Sequence, residues 1–157
     1  MQKYSQLSDV IALAEFAHRN QVDKAGLPYI EHPKRVMKSV QAQGALPYVQ
    51  MGAILHDVVE DTAFTADMLL ELGVPSAAVN IVVLMTKVPG VSNVEYYLKL
   101  RENEDARIVK LADVHDNTQA WRMSYLDAES QKRLAYKYKI ANLYLQFRED
   151  ELKEGSD

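Results

Sequence analysis

The sequence contains no cysteine, no long apolar run and no excess of basic residues. Without cysteine the chain cannot form disulfides, thiolate zinc sites or a cysteine nucleophile. No run approaches the length of a membrane span and the N-terminus lacks the apolar core of a signal peptide, so we expect a cytoplasmic protein without membrane contact. The net charge of −4 argues against duplex nucleic acid as a partner, because that partner requires a basic face. A small phosphorylated ligand stays possible.

The remaining composition is that of an ordinary globular protein, with 48% hydrophobic and 25% charged residues. A chain of 157 residues can bury a real core, and we predict one domain over residues 1–157. Apolar residues recur at helical spacing through most of the chain, which predicts an all-α fold, a single compact multi-helix bundle. The acidic stretch 149–157 is expected to fray.

Helix boundaries are predicted from polar residues that stand just before apolar stripes. The first helix is expected over residues 8–20, and a short amphipathic helix over 34–43. The run 77–86 fits a strand by periodicity alone, but Pro75 in front of it favours a helix. The side chains expected to cap helix N-termini are Ser8, Thr65, Asn93 and Asp127.

The most informative stretch runs from Met51 to Thr62 and places titratable side chains at the end of an apolar segment. These side chains are His56, Asp57, Glu60 and Asp61. We expect one continuous helix here, on which residues four apart share a face. Ionised carboxylates in such a place are costly to desolvate unless a positive charge neutralises them, and His with Asp is a usual ligand pair for a divalent cation. Taken alone, a solvated helix end is the simpler interpretation.

Two further stretches carry residues of the same kinds. His32 stands just before Pro33, which suits the first helical position, so its imidazole is expected at a helix start. Asp113 follows directly on an apolar helical surface in the second half of the chain. With a histidine after a loop, a central His-Asp pair and a late aspartate, the chain resembles the HD superfamily of metal-dependent phosphohydrolases.

The resemblance is closest to the hydrolase domain of the RelA/SpoT alarmone enzymes, and by size to the stand-alone small alarmone hydrolases. It covers roughly residues 14 to 117 and rests on a series of short motifs. These are Ala17-His18, Gln21, Lys24, Gly26, Pro28-Tyr29-Ile30 before His32-Pro33, Leu55 to Thr62, Thr86-Lys87, and Lys110 to Asp113 with Asn117. A synthetase domain would not fit beside them, so the resemblance implies a protein that only degrades.

The resemblance also implies roles for individual side chains. Those that would ligate one divalent metal ion, usually manganese in this family, are His32, His56, Asp57 and Asp113. Those that would orient and deprotonate the attacking water are Glu60 and Asp61. Those that would contact a small nucleotide substrate are Lys24, Lys87 and Asn117.

The implied reaction is hydrolysis of the 3′-pyrophosphate of a guanosine alarmone, which converts (p)ppGpp to GDP or GTP and pyrophosphate. Asp23 stands where the family usually has an arginine that packs against the base, and a carboxylate cannot make that contact. The base preference therefore stays open, and (p)ppApp or NADPH are alternative substrates. A non-catalytic nucleotide-binding module is a further alternative.

Four side chains near these motifs are interpreted as structural. His18 lies among apolar neighbours on the first helix and is expected to pack there. His115 and Asp116 are not at ligand positions of the family motif, so we expect them at the surface or behind the ligands. Trp121 could flank a ligand pocket, but a packing role is favoured.

Overall fold

The computed structural model describes residues 3–146, which form helices joined by turns and loops. Within that range the helices are α1 (Leu7–Ala17), α2 (Glu31–Ala42), α3 (Pro47–Leu55), α4 (Val58–Asp61), α5 (Ala66–Glu71), α6 (Ser76–Met85), α7 (Asn93–Arg101), α8 (Glu104–Asn117), α9 (Ala120–Met123) and α10 (Ala128–Gln146). The β-structure of the described residues amounts to an isolated antiparallel bridge between Val22 and Pro28. The predicted all-α fold is confirmed. The stretch 149–157, expected to fray, lies outside the described residues.

The core is organised around α3, which packs against α1, α2, α6 and α8. Every residue from Val49 to Leu55 on this helix is buried. At its middle, Gly52 allows α6 to approach closely, since a Cβ atom at this position would lie 2.8 Å from Cγ2 of Ile81. The run before the His-Asp pair is thus a buried helix, as predicted. None of the helices formed by residues 3–146 is long and apolar enough to cross a membrane.

Two of the predicted helix caps are confirmed and two are wrong. The side chain of Thr65 accepts the N–H of Met68, and Asp127 accepts the N–H of Ser130. The first helix, however, begins at Leu7 and ends at Ala17 without a side-chain cap, so Ser8 lies inside it. The α7 helix is capped by Ser92, one residue before the predicted Asn93. At α7 the shift of one residue arises because two neighbouring polar side chains compete for the same capping position. At α1 the N-cap residue is Gln6, two residues before Ser8.

The helix predicted to run continuously through His56 and Asp57 is interrupted there, so this prediction is wrong. The α3 helix ends at Leu55, the two residues form a turn, and α4 begins at Val58. The His56 ring gives a physical reason, because its Nδ1 atom lies 2.7 Å from the carbonyl oxygen of Ala53. In a continuous α-helix that oxygen would accept the N–H of Asp57.

Candidate metal centre

Three helices bring together three of the side chains predicted to bind metal. His32 lies in the first turn of α2, His56 directly after α3, and Asp113 on α8. One ligand atom from each lies within 4.8 Å of the other two. The Oδ1 atom of Asp113 is 2.9 Å from Nε2 of His32 and 3.3 Å from Nε2 of His56. All three side chains are buried, so any charge among them must be balanced inside the protein.

Asp57, the fourth predicted ligand, lies at the edge of this cluster. Its Oδ2 atom is 3.0 Å from Nε2 of His56 and 3.8 Å from Nε2 of His32, but it falls outside the group of three within 4.8 Å. The same oxygen accepts a 2.6 Å hydrogen bond from the hydroxyl of Tyr29. Burial and the charge of Asp57 raise the pKa of Tyr29, so this hydroxyl keeps its proton and stays a donor. Tyr29 therefore fixes the orientation of the Asp57 carboxylate.

Both imidazoles direct Nε2 toward the carboxylates. The Nδ1 atom of His32 donates to Oδ2 of Asp116 at 2.6 Å, and Nδ1 of His56 donates to the carbonyl of Ala53. An imidazole that donates through Nδ1 keeps the Nε2 lone pair for a cation. The Nε2 atom of His56 is buried without a hydrogen-bond partner among the described residues, because its contacts with Asp57 and Asp113 both lack hydrogen-bond geometry. Two such nitrogens beside carboxylate oxygens fit a divalent metal ion.

The electrostatics of the cluster favour a bound positive charge. Burial alone would lower the pKa of His56, but the charges of Asp57 and Asp113 raise it well above its usual value. Burial alone would raise the pKa of Asp113, but the charges of Lys110 and His56 hold it well below its usual value. The ammonium of Lys110 lies 2.9 Å from Oδ2 of Asp113. The carboxylates therefore stay ionised and attract a positive charge, which either a proton or a metal ion supplies.

Asp116 supports the cluster from behind, at one of the two places predicted for it. It is buried, and besides the imidazole of His32 it accepts hydrogen bonds from Arg35 at 2.7 Å and from Arg122 at 3.0 Å. Burial alone would raise the pKa of Asp116, but its bonds to His32 and Arg35 lower it, so this carboxylate stays ionised. The sequence does contain a signal for this role, because Asp116 is three residues after Asp113 and residues three apart on a helix share a face.

The predicted catalytic acids, Glu60 and Asp61, stand at the end of α4. Desolvation and the charge of Asp57 raise the pKa of both carboxyl groups. The Oδ2 atom of Asp61 accepts a 3.2 Å hydrogen bond from Nε2 of Gln21, whose Oε1 lies 2.8 Å from Nδ1 of the buried His18. His18 is buried, as expected for a packing role. The contact through which Gln21 orients Asp61 was not predicted.

A pocket of about 300 Å³ adjoins the cluster. Lys24 and Asn117 line it, and Asn117 also donates to Oδ1 of Asp113 at 3.1 Å, so this amide joins the pocket to the cluster. Lys87 is not among the described residues that line the pocket, and its ammonium donates to Oδ1 of Asn93 at 2.8 Å. Two of the three predicted substrate contacts thus lie together, and the third lies apart from them.

Asp23 also lines the pocket, but its carboxylate is engaged within its own loop. Its Oδ1 atom accepts the backbone N–H groups of Ala25 and Leu27, both at 2.9 Å. Aspartate commonly stabilises turns through such bonds to the backbone that follows it. The acid that replaces the family's usual arginine therefore shapes the loop that carries Lys24.

Comparison of the sequence with family models gives no match. Among curated proteins, the guanosine-3′,5′-bis(diphosphate) 3′-pyrophosphohydrolase of Haemophilus influenzae is 38% identical over 98 residues, which cover 61% of this chain and 13% of that protein. The GTP pyrophosphokinase of Streptomyces coelicolor is 32% identical over 138 residues, 83% of this chain and 16% of that protein. The guanosine-3′,5′-bis(diphosphate) 3′-pyrophosphohydrolase of Danio rerio is 39% identical over 67 residues, 40% of this chain. The chain spans between 13% and 37% of the length of these relatives.

Among solved structures, the fold is similar to that of a metazoan ortholog of SpoT described as hydrolysing ppGpp. The TM-score is 0.75 at 24% sequence identity, and the match covers 88% of this chain and 84% of the other. The fold and the buried His and Asp side chains define the class, a helical domain with a cluster able to hold a metal ion. Within this class the chain is RelA/SpoT-like, so the resemblance predicted from the sequence motifs is confirmed.

Proposed function

We propose that this chain is a metal-dependent pyrophosphohydrolase that removes the 3′-pyrophosphate of (p)ppGpp, giving GDP or GTP and pyrophosphate. The observation that carries the proposal is the convergence of ligand atoms from His32, His56 and Asp113 beside a pocket of about 300 Å³. Relatives named as guanosine-3′,5′-bis(diphosphate) 3′-pyrophosphohydrolases support the substrate. Their names favour it over (p)ppApp, NADPH and a non-catalytic role.

We infer that the cofactor is one divalent ion, with manganese as the candidate, held by His32, His56 and Asp113 with Asp57 as a fourth ligand. When bound, such an ion neutralises charge on phosphate oxygens and makes a coordinated water easier to deprotonate. Tyr29 keeps the carboxylate of Asp57 in place through its 2.6 Å hydrogen bond.

In the proposed reaction, the side chains around the cluster orient the water and the substrate. Glu60 and Asp61 receive the proton of the attacking water, and Gln21 holds Asp61 for this task through its 3.2 Å hydrogen bond. Lys24 and Asn117 contact the nucleotide in the pocket that they line. We assign Lys87 to the phosphate end of the substrate, as the resemblance to the alarmone hydrolases implies; its backbone N–H also lowers the pKa of the Glu60 carboxyl, so this segment lies near a predicted catalytic acid.

We further propose that residues 1–157 act as one hydrolase domain of the HD type. The similarity to the RelA/SpoT proteins over up to 83% of the chain supports this extent. A cytoplasmic location, and the lack of binding to duplex nucleic acid or membranes, stay predictions from the sequence.

The proposed function is tested by incubating the protein and Mn²⁺ with ppGpp, ppApp and NADPH in parallel, and measuring released pyrophosphate and phosphate. We expect pyrophosphate from ppGpp, and a loss of about 100-fold or more in kcat for Glu60→Gln and Asp61→Asn, because general-base catalysis contributes that much. Glu71→Gln, on the exposed surface of α5, is the matched control and should keep full activity. Release from ppApp alone would contradict the base assignment, and no release from any substrate would contradict the enzyme.

A further inference from the structure

We propose that Trp121 and Tyr125 form the platform on which the nucleobase of the substrate stacks. This inference rests on the proposed nucleotide substrate and adds the residues that receive its base. Both rings line the pocket beside the metal cluster, together with Asn117. Their exposed fractions are 41% for Trp121 and 58% for Tyr125, so neither ring is packed in the core and the packing role favoured for Trp121 is wrong. Exposed aromatic side chains around a pocket offer stacking area to a ligand.

The indole of Trp121 is held in a defined orientation. The guanidinium of Arg35 lies over the ring, 5.0 Å from its centroid. The ring nitrogen Nε1 donates to Oε1 of Gln119 at 3.2 Å. One contact therefore covers a face of the indole and the other fixes its edge, and the residue also lines the pocket. An oriented aromatic ring loses little conformational entropy when a ligand stacks on it.

The same residues connect the platform to the metal cluster. Arg35 donates to Oδ1 of Asp116 at 2.7 Å, and Oδ2 of Asp116 accepts Nδ1–H of His32 at 2.6 Å. Arg122, the neighbour of Trp121, donates to Oδ1 of Asn117 at 2.8 Å. The indole is thus linked to the His32 imidazole through Arg35 and Asp116, by one cation–π contact and two short hydrogen bonds. A base on the platform would place the phosphates of its nucleotide at a defined distance from the cluster.

The size of the pocket agrees with a substrate whose base lies in the pocket and whose phosphates lie near the cluster. Its volume of about 300 Å³ is at the lower end of the range for small-molecule sites. We place the base and its sugar in this space and the charged phosphates beside it, toward the cluster. Asn117 stands at the boundary, because it lines the pocket and also donates to Asp113.

Stacking on Trp121 replaces the contact that the family's arginine makes at the position of Asp23. The Asp23 carboxylate is bound to the backbone of its own loop and offers no flat surface to a base. An aromatic ring on the short helix α9 provides that surface instead. Because every base has a π-face, the platform provides affinity for a nucleobase without choosing between guanine and adenine.

The test uses the fact that Trp121 is the single tryptophan of the chain, so intrinsic tryptophan fluorescence reports on this ring alone. We would titrate the metal-free protein with GDP, the product of the proposed reaction, and in parallel with ribose 5-phosphate and pyrophosphate. Stacking predicts saturable quenching by GDP and none by the two ligands that lack a base. An unchanged emission at saturating GDP, with binding detected by calorimetry, would overturn the platform.

Variants give a second readout by calorimetry with GDP. Trp121→Ala and Tyr125→Ala should each weaken binding by about 5- to 150-fold, the range for loss of one base-stacking contact. Trp121→Phe should restore most of the affinity, and Tyr136→Ala, an exposed tyrosine of α10 that does not line the pocket, is the matched control. If Trp121→Ala fails to fold by circular dichroism, Trp121→Phe and Tyr125→Ala carry the comparison. Equal affinity for GDP in wild type, Tyr125→Ala and Tyr136→Ala would contradict the role of Tyr125.

These outcomes separate the platform from the proposed reaction. Quenching by GDP without any hydrolysis of ppGpp would support the platform and contradict the enzyme. Hydrolysis of ppGpp without quenching by GDP would support the enzyme and contradict the platform.

Discussion

Asp116 is not a predicted ligand, but it holds several side chains of the candidate site in place. Its carboxylate fixes Nδ1 of His32 and gathers the guanidinium groups of Arg35 and Arg122. Carboxylates that bind a metal-ligating histidine in this way orient the ring and make it a better ligand. The affinity of the cluster for a metal ion should therefore depend on Asp116.

We expect Asp116→Ala to lower the affinity for Mn²⁺ by about 10- to 100-fold, as is usual for the loss of such a supporting group. The Mn²⁺ affinity of Asp116→Asn should lie between that of Asp116→Ala and that of the wild type, because the amide oxygen of asparagine still accepts a hydrogen bond. Isothermal titration calorimetry measures both. Asp67→Asn, an exposed aspartate of α5, is the control. Wild-type affinity in a folded Asp116→Ala protein would contradict the role of Asp116.

The carboxylate of Asp23 can affect substrate binding in two ways, by repelling phosphate or by supporting its own loop, and substitutions at this position separate them. Its Oδ1 atom accepts the N–H groups of Ala25 and Leu27. We expect Asp23→Ala to raise KM for ppGpp because the loop that carries Lys24 loses these bonds, whereas Asp23→Asn keeps an acceptor and should retain KM. Steady-state kinetics at fixed Mn²⁺ decides the matter. A similar fall of KM in both variants would mean that charge repulsion dominates.

At the scale of single residues, the sequence predicted which histidines and aspartates approach each other but not which residues hold them. His32, His56 and Asp113 are recognisable from a motif order. The contact of Tyr29 with Asp57 depends on how the loop before α2 packs against the end of α3, which no local pattern specifies. The pairing of Lys110 with Asp113 is a local contact between residues three apart on α8, and only the approach of this helix to the histidines depends on packing.

Among the helices, the closest approach is between α3 and α6 at Gly52. A Cβ atom there would lie 2.8 Å from Cγ2 of Ile81, so Gly52→Ala forces α3 and α6 apart or displaces the isoleucine. We expect a loss of about 1–3 kcal/mol in the free energy of unfolding, the usual cost of overpacking, although alanine itself favours helix. Denaturation by urea with circular dichroism measures the loss.

A double-mutant cycle identifies the clash as the cause. Ile81→Ala alone removes core volume and costs roughly 2–5 kcal/mol, but it also removes the atom nearest to the added methyl group. The double variant should therefore be more stable than the sum of the two single effects predicts. Strict additivity would mean that Gly52→Ala acts through something other than its contact with Ile81.

The helices themselves were largely predictable, whereas their exact ends and one interruption were not. The sequence located most of the helices, although α6 needed Pro75 in addition to apolar periodicity and α4 was predicted as a continuation of α3. The caps at Thr65 and Asp127 are local features. The short α9 has no buried residue and hence no periodic signal. The break at His56 depends on a side chain that bonds the Ala53 carbonyl, which competes with the regular helical bond.

The whole molecule should become more stable when the cluster binds a metal ion, because its ligands come from segments far apart in the sequence. His32 and Asp113 are separated by 81 residues, so the ion would bind the folded chain and not the unfolded one. At a metal concentration of 100 times Kd the gain is about 2.7 kcal/mol, which raises Tm by roughly 5 to 10 °C. Differential scanning calorimetry with Mn²⁺ and with EDTA measures the shift.

Matched histidine variants test whether the shift arises from the cluster. His56→Ala should abolish it, whereas His115→Ala, an exposed histidine on α8, should keep it. The same rise in Tm for wild type and His56→Ala would mean that the ion binds elsewhere.

The segment that would bind the base and the segments that would hold the metal differ in how much they contribute to the core. The α9 helix contains no buried residue, whereas α3, which precedes His56, is buried along most of its length. Substitutions of Trp121 in α9 should therefore cost little folding free energy, since surface changes usually alter it by less than about 0.5 kcal/mol. Arg122 of the same helix is different, because it donates to Asp116 and Asn117. Mutation of Trp121 can thus alter the affinity for a nucleotide while selection for folding maintains the helices beneath it. In this architecture, substrate affinity can evolve without loss of the inherited fold.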